Sequence, residues 1–247
     1  HDLARVLERQ AQATVERDER STILVQAARV LADELGERER ALSLAERARE
    51  LMPDSGEALE LVGRLYHDAG ELGRADEALR RALDNTIEPT RRAELLLRRA
   101  QVRDLEGATA DEVRELLSEA LDHDPAHLGA LEALRALARA DGDPEALARA
   151  CVRELEATHA PPRRVALLLE LARLRKSDLN DPDGAIACWD EAFYIAPTNT
   201  EAAAGLIEPW AERNRWAEVH SLASLLLSNS ASKGVDRAVR QRWHALH

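Results

Sequence analysis

The stretch ARELMPDSGEAL, residues 48–59, ends one helix, places a proline and opens another. The same punctuation returns in EALDHDPAHLGAL (119–131) and EAFYIAPTNTEAA (191–203), so that Pro53, Pro125 and Pro197 are equally spaced, at a period of 72. Proline lacks the amide proton that a helix interior requires, and each of these stops a helix at the same point of a repeating unit.

Sliding the chain by that period aligns more than the prolines. Arg20, Arg92 and Arg164 coincide, as do Ile23, Leu95 and Leu167, then Val25, Leu97 and Leu169. Ala28, Ala100 and Ala172 follow, then Ala48, Ala120 and Ala192. In the second half of the unit Val62, Leu134 and Leu206 align, and after them Gly70, Gly142 and Asn214. A fixed period without insertion or deletion is the mark of a helical array in which each unit buries its apolar face only against the next.

Composition agrees. Of 247 residues 45% are hydrophobic, mostly Ala and Leu, 32% are charged and only 3% aromatic. Ala, Leu, Glu and Arg favour helices, while strand-forming residues are scarce. Apolar residues recur at spacings of three and four, as in Leu167, Leu168, Leu171 and Leu174, which gives a helix one broad buried face. Small residues at Ala41 and Ala48, or Ala185 and Ala192, let paired helices approach closely. The pattern predicts helices over 2–17, 20–35, 37–52, 55–69, 71–85, 90–106, 109–122, 127–140, 144–157, 162–177, 182–195, 199–213, 215–228 and 234–246. Asp143-Pro144 and Asp181-Pro182 read as N-caps followed by proline in the first turn. Asp54 with Glu57, Thr109 with Glu112, and Thr198 with Glu201 have capping-box spacing.

The copy at 56–89, GEALELVGRLYHDAGELGRADEALRRALDNTIEP, resembles the tetratricopeptide repeat, whose signature is met by Leu59, Val62-Gly63, Tyr66, Ala75, Leu79 and Ala82, with Pro89 two places late. Copies at 22, 94 and 166 keep the final proline but replace the Gly and the Tyr; copies at 128 and 200 carry Glu154 and Leu226 at the second Ala position. The resemblance implies an all-α, right-handed superhelix of about six helix pairs with terminal half repeats. As one solenoid it divides into a half repeat at 1–19, double repeats at 20–91, 92–163 and 164–235, and a terminal or capping helix at 236–247. The first twelve residues align with the second helix of a pair, so Leu3, Val6 and Leu7 are expected on an open face, as in a fragment of a longer array.

The family's function, carried over, is that of a non-enzymatic protein-interaction scaffold or adaptor; a regulatory or sensor module of a larger enzymatic or signalling protein is the alternative. In this family the first helix of each pair lines the inner groove. Transferred residue by residue, the groove positions are Asp33, Glu34, Glu57, Glu60, Arg64, Asp68, Arg98, Arg99, Glu132, Arg139, Glu170, Asp178, Glu201, Glu208 and Glu212. Carboxylates outnumber guanidinium groups there, so a basic peptide or basic protein surface is the expected partner. The Lys/Asn/Arg set with which some members grip a C-terminal carboxylate is missing at these positions. Self-association through the solenoid ends is a further expectation.

Other chemistry finds no support. Net charge is −12, which opposes nucleic-acid binding. Only Lys176 and Lys233 are lysines among 34 basic residues, as expected of a GC-rich bacterial genome. No apolar run is long enough to span a membrane, and no secretory leader opens the chain, which begins at His1. Two cysteines, Cys151 and Cys188, both on predicted second helices, fit small buried groups in a reducing, cytoplasmic setting. Phosphate-loop, dinucleotide, zincin and nucleophile-elbow motifs are absent, so neither catalysis nor a cofactor is expected. His123 and His127 in HDPAH read as solvated loop histidines, and no metal site is expected. Trp189 and Trp210 fall on core positions, with Tyr194 and Trp243 as the exposed aromatics. Pro209 inside a helix predicts a kink, eased by Gly205 four residues back. Arg20, Arg92 and Arg164, with Arg91 and Arg163, are expected to pair with carboxylates at helix starts.

Overall fold

The structure, a computed structural model, describes residues 2–230. Helices α1 (Asp2–Ala13), α2 (Arg17–Arg29), α3 (Arg38–Leu51), α4 (Gly56–Asp68), α5 (Leu72–Asp84), α6 (Pro89–Glu106) and α7 (Ala110–His123) come first. After them come α8 (Leu128–Asp141), α9 (Pro144–Ala157), α10 (Pro161–Ser177), α11 (Pro182–Ile195), α12 (Thr200–Glu212) and α13 (Trp216–Ser230). No strand occurs among the described residues. The chain packs as two units, His1–Leu137 and Ala138–His247, divided within α8. The expected helix over 234–246, the terminal element at 236–247 and Trp243 lie outside the described residues.

Within each unit the main contacts join helices that follow one another in sequence, and α2 also touches α4. The pairs are antiparallel. Gly56 at the start of α4 lies beside Asn85 and Thr86 just past the end of α5, while Gly63 in mid-helix meets Leu79. In the first unit the core runs through Leu24, Ala28, Leu31, Ala41, Ala45, Ala48, Ala58 and Val62. In the second it runs through Leu167, Leu168, Leu171, Ala172, Ala185, Trp189, Ala192 and Leu206. Alanine at each crossing brings the helix axes close, and leucine fills the space between them.

The period of 72 is written into the backbone. Met52, Asp124 and Ala196 each donate to the carbonyl four residues back, on Ala48, Ala120 and Ala192. Each proline follows one residue later. Gly70, Gly142 and Asn214 all take positive φ, at 78°, 67° and 55°. The residue after each donates to Tyr66, Ala138 and Trp210, a left-handed C-terminal turn made three times over.

Most helix ends fall within two residues of expectation; the end of α1 and the start of α2 do not. The first helix stops at Ala13 instead of 17, where Thr14 turns its hydroxyl back onto the Gln10 carbonyl at 2.9 Å, and α2 begins at Arg17, three residues early. Asp18 and Glu19 in the first turn of α2 complement its dipole there. Past Arg29 the α2 backbone continues as a π-helical turn over Val30–Glu34, closed by the Glu37 amide on the Leu31 carbonyl at 2.9 Å. Asp143 and Asp181 cap α9 and α11 as expected, each accepting an amide at 2.9 Å. Two expected caps shift by one residue: Ser55 replaces Asp54 on α4, and Asn199 replaces Thr198 on α12. Thr109 caps α7, but the Glu112 carboxylate turns to Arg103 and does not close the box. On α1, Leu3 and Val6 are exposed as expected, whereas Leu7 packs on the core.

Candidate functional site

The first helices of the first unit carry charge in a repeated pattern. An acid and an arginine stand three or four residues apart on one helical face: Arg29 and Asp33, Glu60 and Arg64, Glu94 and Arg98. Each pair then reaches across to the next first helix. Arg64 on α4 lies 2.9 Å from the Asp33 carboxylate, an ion pair without an aligned hydrogen bond. On the other side Glu60 accepts from Arg91 at 2.5 Å and from Arg98 at 3.1 Å, both on α6. Arg98 also donates to Glu94 at 2.9 Å, and Glu94 lies 3.2 Å from His127. The result is a cavity of about 300 Å³ lined by Arg29, Asp33, Glu60, Leu61, Arg64, Arg91 and Arg98. Arg29 makes no ion pair or hydrogen bond among the described residues.

The second unit repeats the device. Arg139 pairs with Glu170 on α10, and both forks of Arg173 engage Glu201 on α12. Asp178, Glu208 and Glu212 are exposed on the same helices or at their ends. In the first unit Glu34 and Glu57 are exposed, Asp68 sits 3.4 Å from His67, and Glu132 is exposed on α8. Arg99 turns the other way, to Asp76 on α5 at 2.7 Å, between the second helix of one pair and the first helix of the next. Arg91, Glu94 and Arg173 belong to the pattern although the repeat alignment does not select them; acid–arginine spacing of three or four on each first helix is the signal that finds them.

Of the helix-start arginines, Arg91, Arg163 and Arg164 pair with carboxylates as expected, whereas Arg20 and Arg92 have no carboxylate partner among the described residues. One nitrogen of Arg92 donates to the carbonyls of Leu83 and Thr86, at 2.8 and 2.9 Å. Arg164, one period later, repeats this on Leu155 and Thr158, at 2.8 and 3.2 Å. Each guanidinium thus closes the negative end of the preceding second helix. Arg164 adds Glu191 at 2.6 Å, and Arg163 holds Glu154, a fully buried carboxylate, at 2.6 Å. Arg20 comes to the shortened α1, and its Nε is buried without a hydrogen-bond partner.

Away from this surface a second cavity of about 520 Å³ is lined by α3, α4 and α5 around Tyr66. The Tyr66 hydroxyl donates to Glu46 at 2.6 Å, and burial, reinforced by that carboxylate, raises its ionisation above the usual value. The cavity's arginines and glutamates balance, so it shows no preference of sign.

His123 and His127 are not solvated loop residues. His123 ends α7 and accepts from Arg92 at 3.1 Å, while the Nδ1 of His127 accepts from the Ala130 amide at 3.2 Å and so caps α8. Proline leaves both rings at a junction where orphan helix ends need partners. Among the described residues no group of three His, Cys, Asp or Glu is placed to hold a metal, and no helix is long and apolar enough to cross a membrane. Neither cysteine forms a disulfide and both are buried, and burial raises the ionisation of Cys188. Trp189 and Trp210 are buried and Tyr194 is exposed, as expected; Trp216 is half exposed. Gly205 makes room for a neighbouring side chain. A side chain there would overlap the Trp189 indole, and α12 runs on through Pro209.

No family model matches the chain, and no curated protein does. Solved structures do resemble it. The C-terminal part of a TPR repeat-containing protein from Cytophaga hutchinsonii superposes with a TM-score of 0.65 at 14% identity, over 96% of this chain and 92% of that one. A tetratricopeptide repeat protein from Parabacteroides merdae gives 0.55 at 15% identity, over 98% and 90%. YrrB, described as a TPR protein with an unusual peptide-binding site, gives 0.51 at 18% identity, over 73% and 88%. Successive antiparallel hairpins, the period of 72 and these likenesses agree: the chain has the tetratricopeptide-repeat fold.

Proposed function

We propose that the chain is a non-catalytic protein-interaction scaffold that receives partner segments on its first helices. One observation carries the reading: Asp33, Glu60, Arg64, Arg91 and Arg98 are held by cross-helix pairs around an open cavity, so they are ordered before a partner arrives. The likeness to YrrB, a peptide-binding protein of the same fold, supports it. The expected preference for basic partners is proposed for the second unit. There Asp178, Glu208 and Glu212 are exposed on the helices that carry Glu170 and Glu201, or at their ends. Two cysteines outside any disulfide and the arginine-rich basic set fit a reducing, cytoplasmic, bacterial setting.

An array of random peptides, probed with the whole protein and with an E208K/E212K variant, tests this. Lysine- and arginine-rich peptides should bind the parent and be lost from the variant. Basic peptides that bind both alike, or none that bind the parent, would contradict it.

A second reading draws on α1, where Leu3 and Val6 are 53% and 57% exposed. We propose that this apolar face stacks on another helical surface, a second copy included. Light scattering over a concentration series should show association that L3E/V6E removes; a monomer throughout would end the idea.

A further inference from the structure

The lining of the cavity between α2, α4 and α6 carries four arginines against two carboxylates, an excess of positive charge in a chain of net charge −12. Intramolecular pairing does not exhaust it. Glu60 answers Arg91 and Arg98 together, Glu94 adds a second carboxylate to Arg98, Asp33 answers Arg64 without an aligned hydrogen bond, and Arg29 has no ion pair among the described residues. Each guanidinium has five donors in a fixed fork, so most N–H groups facing this space remain open to a ligand. Leu61 is the one apolar residue of the lining. A concave wall of low polarisability concentrates the field of such a cluster on whatever enters.

We propose that this cavity is a subsite for an acidic peptide segment, an extended stretch with carboxylates at alternate positions. The spacing argues for a chain over a compact ion. Neighbouring helices stand about 8–10 Å apart, so the arginines of α2 and α6 are spread along a trough. Alternate side chains of an extended strand lie about 7 Å apart on one side, which lets two carboxylates meet two arginine pairs in succession. Carboxylates accept from guanidinium forks through two parallel bonds, and that geometry selects them over neutral amides. The inference rests on the scaffold reading and adds to it a sign opposite to the one proposed for α10 and α12.

Fluorescence anisotropy on the full chain tests it with four labelled decapeptides. These carry two glutamates at alternate positions, two glutamines there, two lysines there, or a single phosphoserine. The glutamate peptide should bind about tenfold tighter than the glutamine peptide at low salt, with the advantage collapsing at high salt. Arg29→Gln should weaken only the glutamate peptide, about fivefold, with thermal stability unchanged because that side chain is exposed and unpaired. Arg64→Gln should act in the same direction. Equal binding of glutamate and glutamine peptides, or indifference to Arg29→Gln, would overturn the subsite. Tighter binding of the phosphoserine peptide would overturn the choice of carboxylate. Failure of the glutamate peptide in a protein that still takes lysine peptides on α10 and α12 would remove the subsite alone; failure of every peptide would remove the scaffold reading too.

Discussion

Glu154 shows how one residue departs from its repeat and what that costs. Its counterparts one period away on either side are Ala82 and Leu226, both apolar and buried, yet here a carboxylate is buried completely and held by Arg163. Removing one partner of such a pair leaves a charge without compensation, so Arg163→Ala should destabilise the second unit by about 3 kcal/mol in denaturant unfolding. Replacing both, as E154L/R163M, should recover most of that loss, because apolar residues of similar volume suit the site. If the double variant unfolds as readily as the single one, the carboxylate has some task besides filling space. Cys188 makes a simpler case. Burial keeps its thiol protonated above the ordinary range, so an aromatic disulfide reagent at pH 8 should react with it only as fast as the protein opens. A reaction at the rate of a free thiol would place it at the surface instead.

Single helices depend on how their ends are closed. Glu88 caps α6, its carboxylate accepting from the Thr90 and Arg91 amides at 3.0 and 2.7 Å and from the Thr90 hydroxyl. The Thr90 hydroxyl first, and then the Arg91 amide, hold this carboxyl below its ordinary value of 4.5. A group depressed in the folded state contributes stability above the unfolded value, and that contribution is lost as pH falls through the lower folded one. Glu88→Ala should therefore lower the melting temperature at neutral pH, with the gap to the parent closing once the carboxyl protonates. A gap that persists at strongly acidic pH would mean the cap acts through something other than charge. These ends also show what could be read in advance. Asp143-Pro144 and Asp181-Pro182 specify their caps unambiguously, because only one side chain precedes the proline. Adjacent candidates such as Asp54-Ser55 and Thr198-Asn199 differ by one backbone step, and the second of each is the cap. The role of Gly205 was not legible, since its partner Trp189 arrives from another helix.

At the scale of the molecule the period of 72 made the fold readable, because each proline, each Arg92-like clamp and each left-handed turn repeats with it. The charge character of the first-helix surface was only half readable. Counting groove positions gives an acidic face, but a carboxylate's effective charge depends on the arginine reaching over from the next helix, and a list of positions does not contain that. Arg29, Arg91 and Arg173 change the balance that the groove positions alone suggest.

The central claim is that packing passes only between neighbouring hairpins, with Arg92 and Arg164 as equivalent clamps one period apart. Native-state hydrogen exchange on Arg92→Ala and Arg164→Ala tests it most directly. Losing charged hydrogen bonds to helix-end carbonyls should cost about 1.5–3 kcal/mol at each site. Arg92→Ala should loosen the amides of α5, α6 and α7 while those of α11 and α12 keep their protection, and Arg164→Ala should loosen α9, α10 and α11 while those of α3 and α4 keep theirs. A uniform loss of protection across every helix for either variant would show a single cooperative core, and would contradict a hairpin array.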